Sequence, residues 1–168
     1  EQQLVKENVG SQDQTAAAFG GLNRIEFGGQ EKFKVYPLTL TRSKLDFLER
    51  HLMLFFTGFS RNASEIAAEQ IKKTAEKSKE LYNLNNLVVQ AMRLLTGSDS
   101  ALTDFGRLLH ENWLLKRSLT SKITTPLIDE IYEAAREAGA SGGKLLGAGG
   151  GGFILFFVNP ELQPRVRQ

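Results

Sequence analysis

Apolar residues recur at helical spacing through most of the chain, with lysine and glutamate interleaved on the opposite face. The spacing predicts helices over 43–51, 63–81, 84–96, 102–116 and 126–138. Apolar runs of strand length stand between them, at 52–56 and 153–158, with a further short strand at 144–146. We predict that the strand at 52–56 is fully buried. The pattern as a whole predicts an α+β fold in which helices gather on one face of a small sheet.

The first forty residues have a different pattern. Residues 1–6 resemble the end of a helix, and residues 10–21 predict a polar turn followed by a short alanine-rich helical turn that ends at paired glycines. The alternating runs 22–27 and 33–40 predict a β-hairpin. Pro37 cannot donate a ladder hydrogen bond, so the second strand should lie at an edge or a bulge.

Composition narrows the class of protein. The 21 basic and 19 acidic residues are interspersed, without the basic stripe that a nucleic-acid-binding protein needs. The absence of cysteine excludes a disulfide framework and a thiolate metal site. No apolar run approaches the roughly 20 residues that cross a bilayer. We therefore expect a cytoplasmic globular protein without a membrane or nucleic-acid partner.

The most unusual segment is the glycine-rich stretch 142–152, which leads directly into the strand at 153–158. Glycine weakens helices and strands, so we predict that this stretch is a loop with backbone conformations closed to other residues. Successive N–H groups in such a loop can converge on an anion. A flexible linker is the alternative. The loop is favoured because the segment stands between Leu145-Leu146 and a strand of core composition.

Two segments resemble motifs of the GHMP kinases, a family that includes galactose, homoserine and mevalonate kinases. The stretch 144–152, Lys-Leu-Leu-Gly-Ala-Gly-Gly-Gly-Gly, resembles the third, C-terminal motif of the family. The stretch 10–14, Gly-Ser-Gln-Asp-Gln, followed by Phe19-Gly20-Gly21, is similar to the segment that carries the catalytic aspartate in its sugar kinases. Taken together with the stretches 36–38 and 56–64, these segments are most similar in sequence to the D-glycero-D-manno-heptose 7-phosphate kinase branch of the family. Members of that branch phosphorylate the anomeric hydroxyl of the sugar phosphate.

The resemblance covers nearly the whole chain but only the later half of such a kinase. The family's first motif, which carries a basic residue beside the sugar, and its Gly-Leu-Gly-Ser-Ser nucleotide loop are not found in the sequence. We therefore expect a fragment, in which 1–42 ends the N-terminal domain and 43–168 is a truncated C-terminal domain. The resemblance implies ATP and Mg²⁺ as cofactors and a sugar phosphate as substrate. Surface left uncovered in a fragment would favour a homodimer.

The resemblance also assigns roles in the first segment. Asp13 is the expected catalytic base, which accepts the proton of the attacking sugar hydroxyl. The alternative is that Asp13 only caps the alanine-rich turn. Gly10 and Gln12 are expected to contact the substrate. Glu1 lies twelve residues before Asp13. This separation resembles the one between the magnesium-binding glutamate and the catalytic aspartate in the family's sugar kinases, so Glu1 is the expected magnesium ligand.

Further candidate residues lie later in the chain. The resemblance implies that the loop faces the phosphates or braces the nucleotide loop. Its residues are Gly147, Ala148, Gly149, Gly150, Gly151 and Gly152. Lys144 and Arg61 are expected to bind the anionic substrate, with a solvated surface side chain as the alternative for each. Lys116 and Arg117 are typical complements of a helix dipole. We interpret His51, His110 and Trp113 as packing or surface residues.

Three functional hypotheses remain open from the sequence. The first is a heptose phosphate kinase that is inactive as the isolated fragment. The second is another sugar kinase of the family, of the fucose or galactose type. The third is a non-catalytic binding or dimerising module.

Overall fold

The computed structural model of the protein describes residues 11–28, 33–59 and 63–168. Its α-helices are α1 (Gln12–Phe19), α2 (Arg42–His51), α3 (Ala63–Lys73), α4 (Ser78–Thr96), α5 (Phe105–Arg117), α6 (Pro126–Glu137) and α7 (Gln163–Val166). Its strands are β1 (Asn23–Phe27), β2 (Phe33–Pro37), β3 (Leu52–Phe56), β4 (Ala140–Leu145) and β5 (Phe153–Val158). Short 3-10 helices, Asp99–Asp104 and Pro160–Leu162, precede α5 and α7. The predicted helix at 1–6 and the hairpin connection at 29–32 lie outside the described residues.

The first two strands form the predicted antiparallel pair. Ile25 lies opposite Val35 in the register, and Pro37 is the last residue of β2. Helix α1 ends at Gly20, and Gly20 and Gly21 both have positive φ, of 63° and 68°. Only glycine adopts such angles at little cost, which explains why the alanine-rich turn stops there.

The remaining strands form an antiparallel sheet in the order β3-β5-β4. Because β5 is central, its residues Ile154, Phe156 and Val158 are almost completely buried. The prediction of a fully buried strand at 52–56 is wrong. Strand β3 lies at an edge of the sheet, and Leu54 and Phe56 on one of its faces are 58% and 59% exposed.

The main core lies between one face of the sheet and helices α5 and α6. Phe156 of β5 contacts the ring of Tyr132 in α6, and Tyr132 packs against Trp113 of α5. The side chains of Tyr132 and Trp113 are fully buried. Helix α6 begins at Pro126, as predicted, and ends at Glu137, one residue before the predicted end; Gly139 follows Ala138 with a φ of 118°. The fold class predicted from the sequence is thereby confirmed.

Helices also contact the opposite face of the central strand, which the sequence pattern did not predict. Phe157 points away from Phe156, as successive strand residues do, and it contacts Phe47 and His51 of α2. Helix α2 is tied to the end of α4 through the buried side chain of Lys44. Its Nζ donates to Leu95 O at 2.9 Å and to Gly97 O at 2.5 Å.

The glycine-rich stretch is not a loop throughout. Gly142 and Gly143 lie in β4, paired with Phe157 and Phe156 of β5, so the prediction of a loop over all of 142–152 is wrong for its beginning. A Cβ on Gly142 would lie 1.9 Å from the carbonyl oxygen of Gly106 in α5. Gly142 is explained by the close approach of helix α5 to the edge strand. A Cβ on Gly143 would instead lie 2.5 Å from the ring of Phe156 in β5.

Substituting Gly142→Ala should therefore destabilise the fold. The added methyl group must push α5 away from β4, and we expect overpacking to lower the free energy of unfolding by about 1–3 kcal/mol. Urea unfolding measures this difference. Ser141→Ala on the same strand is the matched control, because Ser141 is exposed. Equal stability of the two variants would contradict the backbone contact.

Candidate functional site

The remaining part of the glycine-rich stretch, residues 146–152, is a fixed loop between β4 and β5. Leu146 N donates to Phe153 O at the base of the loop. Gly150 N donates to Ile123 O at 2.8 Å, and Gly152 N donates to Phe59 O at 2.9 Å. The loop is thus bonded to two other segments of the chain, which rules out the flexible-linker alternative.

These bonds limit which N–H groups the loop can offer to an anion. The amides of Gly150 and Gly152 are engaged, whereas those of Gly147, Ala148, Gly149 and Gly151 donate to no backbone carbonyl of the described residues. Gly147 is exposed at the tip of the loop.

Helix α3 holds the loop from another side. Gln70 Nε2 donates to Ala148 O at 2.9 Å. The neighbouring Glu69 accepts a hydrogen bond from Thr120 and forms ion pairs with Lys73 at 3.3 Å and Lys122 at 2.9 Å. Thr120 and Lys122 stand just before Ile123, so Glu69 secures the segment on which the loop rests.

Lys116, in the last turn of α5, bonds to the first part of the loop. Its Nζ donates to Gly147 O, and to Leu145 O at 3.4 Å. Burial, together with the positive charge of Lys144, lowers the pKa of Lys116 to about 8, and the negative charge of Asp13 partly opposes this. The charges of Lys144 and Asp13 thus act on Lys116, which itself bonds to the glycine loop.

Asp13 is the second residue of α1 and is exposed. The N-cap position belongs to Ser11, so Asp13 is not the capping residue of the helix, although it complements the helix dipole from the first turn. No described residue forms a hydrogen bond or a close ion pair with the Asp13 carboxylate.

Lys144 lies on β4, and its side chain lines a pocket of about 120 Å³ between α4 and α5. The other walls are largely apolar. They are formed by Leu87, Val88, Ala91, Phe105, Leu108, Leu109 and Asn112. Burial lowers the pKa of Lys144. Lys144 is thus half-buried rather than fully exposed to solvent.

Three of the predicted site residues, Glu1, Gly10 and Arg61, lie outside the described residues. Gln12 is the first residue of α1 and is exposed. Within the described ranges, no group of three or more acidic, histidine or cysteine side chains could hold a metal ion. No helix in those ranges is both long enough and apolar enough to cross a membrane.

The histidines and the tryptophan pack as predicted. His51 stacks between Phe47 and Phe157. His110 Nδ1 lies 2.8 Å from the hydroxyl of Tyr132, and burial lowers the pKa of His110. Trp113 is fully buried in the core.

Comparison with known proteins identifies the domain. Residues 91–168 match the family model described as "GHMP kinases C terminal". Residues 91–168 are a GHMP kinase C-terminal domain.

Individual relatives agree with this family. The chain is 34% identical over 154 residues to a D-glycero-alpha-D-manno-heptose 7-phosphate kinase of Campylobacter jejuni, which covers 90% of this chain and 44% of the relative. It also resembles the crystal structure of a D-glycero-D-manno-heptose 1-phosphate kinase from Bacteroides thetaiotaomicron, with a TM-score of 0.61, 30% identity, and coverage of 99% of this chain and 44% of that one. The chain thus spans less than half the length of these relatives.

A more distant structure supports the fold alone. The crystal structure of L. major mevalonate kinase matches with a TM-score of 0.72 at 21% identity, covering 92% of this chain and 46% of that chain. The helices and antiparallel sheet of the GHMP kinase C-terminal domain are therefore shared between relatives of quite different sequence.

Sequence reasoning missed one residue of the site in this domain. Lys116 was interpreted as a complement of the α5 dipole, and it does stand in the last turn of that helix. Its contacts with Leu145 O and Gly147 O depend on how α5 lies against β4. Asp13 lies 103 positions before Lys116. A helix or strand pattern relates only residues that are close in sequence, so the effect of the Asp13 charge on Lys116 could not be predicted.

The Glu69 contacts predict a pH dependence of stability. The hydrogen bond from Thr120 and the charge of Lys122 lower the pKa of Glu69 from 4.5 to about 2. A carboxylate with a lowered folded-state pKa stabilises the fold above its unfolded pKa, and this contribution is lost as the pH falls from 4.5 towards 2.

We expect Glu69→Gln to lower the melting temperature at pH 6 and to bring it closer to the wild-type value at pH 2.5. Thermal unfolding across this range measures the effect. Glu76→Gln, an exposed glutamate just after α3, is the control and should leave the pH dependence as in the wild type. Parallel curves for wild type and Glu69→Gln would show that the ion pairs do not stabilise the fold.

Proposed function

We propose that this chain is part of an ATP-dependent sugar kinase that phosphorylates the anomeric hydroxyl of a heptose 7-phosphate. The domain family is that of kinases, and the relatives named as heptose phosphate kinases match nearly the whole chain. The observation that carries the proposal is the exposed Asp13 carboxylate, whose charge acts on Lys116, the lysine that bonds to Gly147 O of the glycine loop.

Phosphoryl transfer depends mainly on positioning and on neutralising negative charge. In this proposal Asp13 accepts a hydrogen bond from the attacking sugar hydroxyl and takes its proton as the bond to phosphorus forms. Lys116, which bonds to the carbonyl oxygen of Gly147 in the loop, would offset the negative charge of a phosphate bound beside it.

ATP supplies the phosphoryl group in this reaction, and Mg²⁺ would neutralise its phosphates when bound. The described residues do not provide a complete magnesium site, and the proposed ligand Glu1 lies outside them. The step assigned to Asp13 does not depend on where the metal binds.

The decisive substitution is Asp13→Asn, made in a catalytically active protein that contains this chain. The amide keeps the shape of the side chain but cannot accept the proton, so we expect turnover to fall by about 10²–10⁴-fold, with sugar binding largely retained. Steady-state kinetics with a heptose 7-phosphate measure this. Asp104→Asn, the same change at another exposed aspartate, should leave turnover unaltered. Unchanged turnover in Asp13→Asn would exclude the aspartate as the base.

A substrate panel separates the sugar kinases of this family. Turnover should be higher with phosphorylated than with unphosphorylated sugars if the substrate's own phosphate is recognised. A preference for unphosphorylated fucose or galactose would favour the fucose or galactose type instead.

A second candidate is a non-catalytic binding or dimerising module. It is favoured by the exposed apolar side chains of Leu54, Phe56 and Phe153 on one face of the sheet. Calorimetry with ATP and Mg²⁺ and sedimentation of the 168-residue chain examine this candidate. We expect weak or no ATP binding by this chain, because its sequence lacks the nucleotide loop of the family; tight binding would contradict that expectation.

A further inference from the structure

Two side chains hold neighbouring carbonyl groups at the start of the glycine loop. Lys116 Nζ, from the last turn of α5, donates to Gly147 O and, at 3.4 Å, to Leu145 O. Gln70 Nε2, from α3, donates to Ala148 O at 2.9 Å. The carbonyls of residues 147 and 148 are therefore held by two different helices.

A carbonyl held in this way also fixes the direction of the N–H group that follows it. A trans peptide unit is planar, so its C=O and N–H bonds point in opposite directions, and the described residues contain no cis peptide bond. The peptide between Leu145 and Leu146 shows the effect. Leu145 O accepts from Lys116, and Leu146 N donates to Phe153 O of β5.

The same geometry directs the next two amides of interest, those of Ala148 and Gly149. Because Gly147 O accepts from Lys116, the Ala148 N–H points away from that lysine. Because Ala148 O accepts from Gln70, the Gly149 N–H points away from that glutamine. Neither N–H group donates to a backbone carbonyl of the described residues. Successive N–H groups of a loop that lack an acceptor are suited to bind an anion.

We propose that Lys116 and Gln70 are positioning residues: by holding the Gly147 and Ala148 carbonyls, they direct the N–H groups of Ala148 and Gly149 at a phosphate group of a substrate. Neither side chain has to touch the substrate in this role. The assignment of the phosphate to a substrate rests on the proposed kinase function. The direction of the two N–H groups does not, because it follows from the hydrogen bonds to the carbonyls.

The first experiment follows the backbone amide signals of the 168-residue chain by NMR while inorganic phosphate is added at constant ionic strength. We expect the signals of Ala148 and Gly149 to shift. The signals of Gly150 and Gly152 should shift much less, because their N–H groups already donate to carbonyls of the protein. Signals of Ala148 and Gly149 that do not respond to phosphate would overturn the proposal without any substitution.

Gln70→Met tests the positioning role without a change in charge. Methionine has a similar length but cannot donate to Ala148 O. We expect phosphate to bind about tenfold more weakly, because the charge-assisted hydrogen bond from Gly149 N is lost. Gln90→Met, the same change at an exposed glutamine of α4, is the matched control. Equal phosphate affinities in these two variants would overturn the role of Gln70.

Two substitutions of Lys116 separate its hydrogen bonds from its charge. Lys116→Arg keeps a cationic donor for Gly147 O and should retain phosphate binding, whereas Lys116→Met should weaken it about tenfold. Lys72→Met removes the same charge at an exposed lysine of α3 and is the control. An unchanged Leu146 amide signal shows that the pairing with Phe153 persists in each variant. Equal losses in Lys116→Met and Lys72→Met would overturn the role of Lys116.

Kinetics of a catalytically active protein that contains this chain identify the source of the phosphate. Gln70→Met should raise about tenfold the KM of ATP if the amides hold a nucleotide phosphate, or that of the heptose 7-phosphate if they hold the sugar phosphate. Unchanged KM values for both substrates would overturn the assignment to a substrate phosphate. An absence of kinase activity in the unsubstituted protein would instead contradict the proposed function, while the phosphate titration of the 168-residue chain still decides the direction of the amides.

Discussion

Helix α5 and strand β4 touch through their backbones at Gly106 and Gly142, where any side chain on Gly142 would collide with a carbonyl oxygen. This contact fixes the distance and the angle of the helix relative to the edge of the sheet. The last turn of α5 is consequently carried to the end of β4, where Lys116 reaches the carbonyls of Leu145 and Gly147. The geometry of the candidate site follows from a packing constraint ten residues away from it along the helix.

The glycine loop is held as firmly as the core elements around it. Its amides bond to Ile123 and Phe59, and Gln70 reaches one of its carbonyls from α3. Gly149 and Gly151 are required at these contacts, since a Cβ on either would lie 2.8 Å or less from the Ile123 or Phe59 carbonyl oxygen. A loop held in this way is already ordered, so a ligand that bound to it would not have to order it first.

Two lysines near the glycine loop are partly removed from water. Burial lowers the pKa of both Lys116 and Lys144, and the single negative charge that acts on Lys116 is that of Asp13. Proteins seldom leave charged groups partly buried without compensation, and functional sites are where such perturbations concentrate.

The sequence by itself predicted the fold class and the start of α6, because periodicity and end signals such as Pro126 and Gly139 act locally. It placed the break between the helices α3 and α4 at 82–83, whereas α3 ends at Lys73 and α4 begins at Ser78. Family motifs pointed to Asp13 and the glycine loop as candidate site residues. Only the tertiary structure decided that Gly142 and Gly143 belong to a strand, that Leu54 and Phe56 are exposed, and that Lys116 bonds to the loop. All three features depend on which helix or strand packs against which. The hydrophobic pattern of a segment reports only on neighbours in the sequence, so it does not predict contacts between residues far apart in the chain.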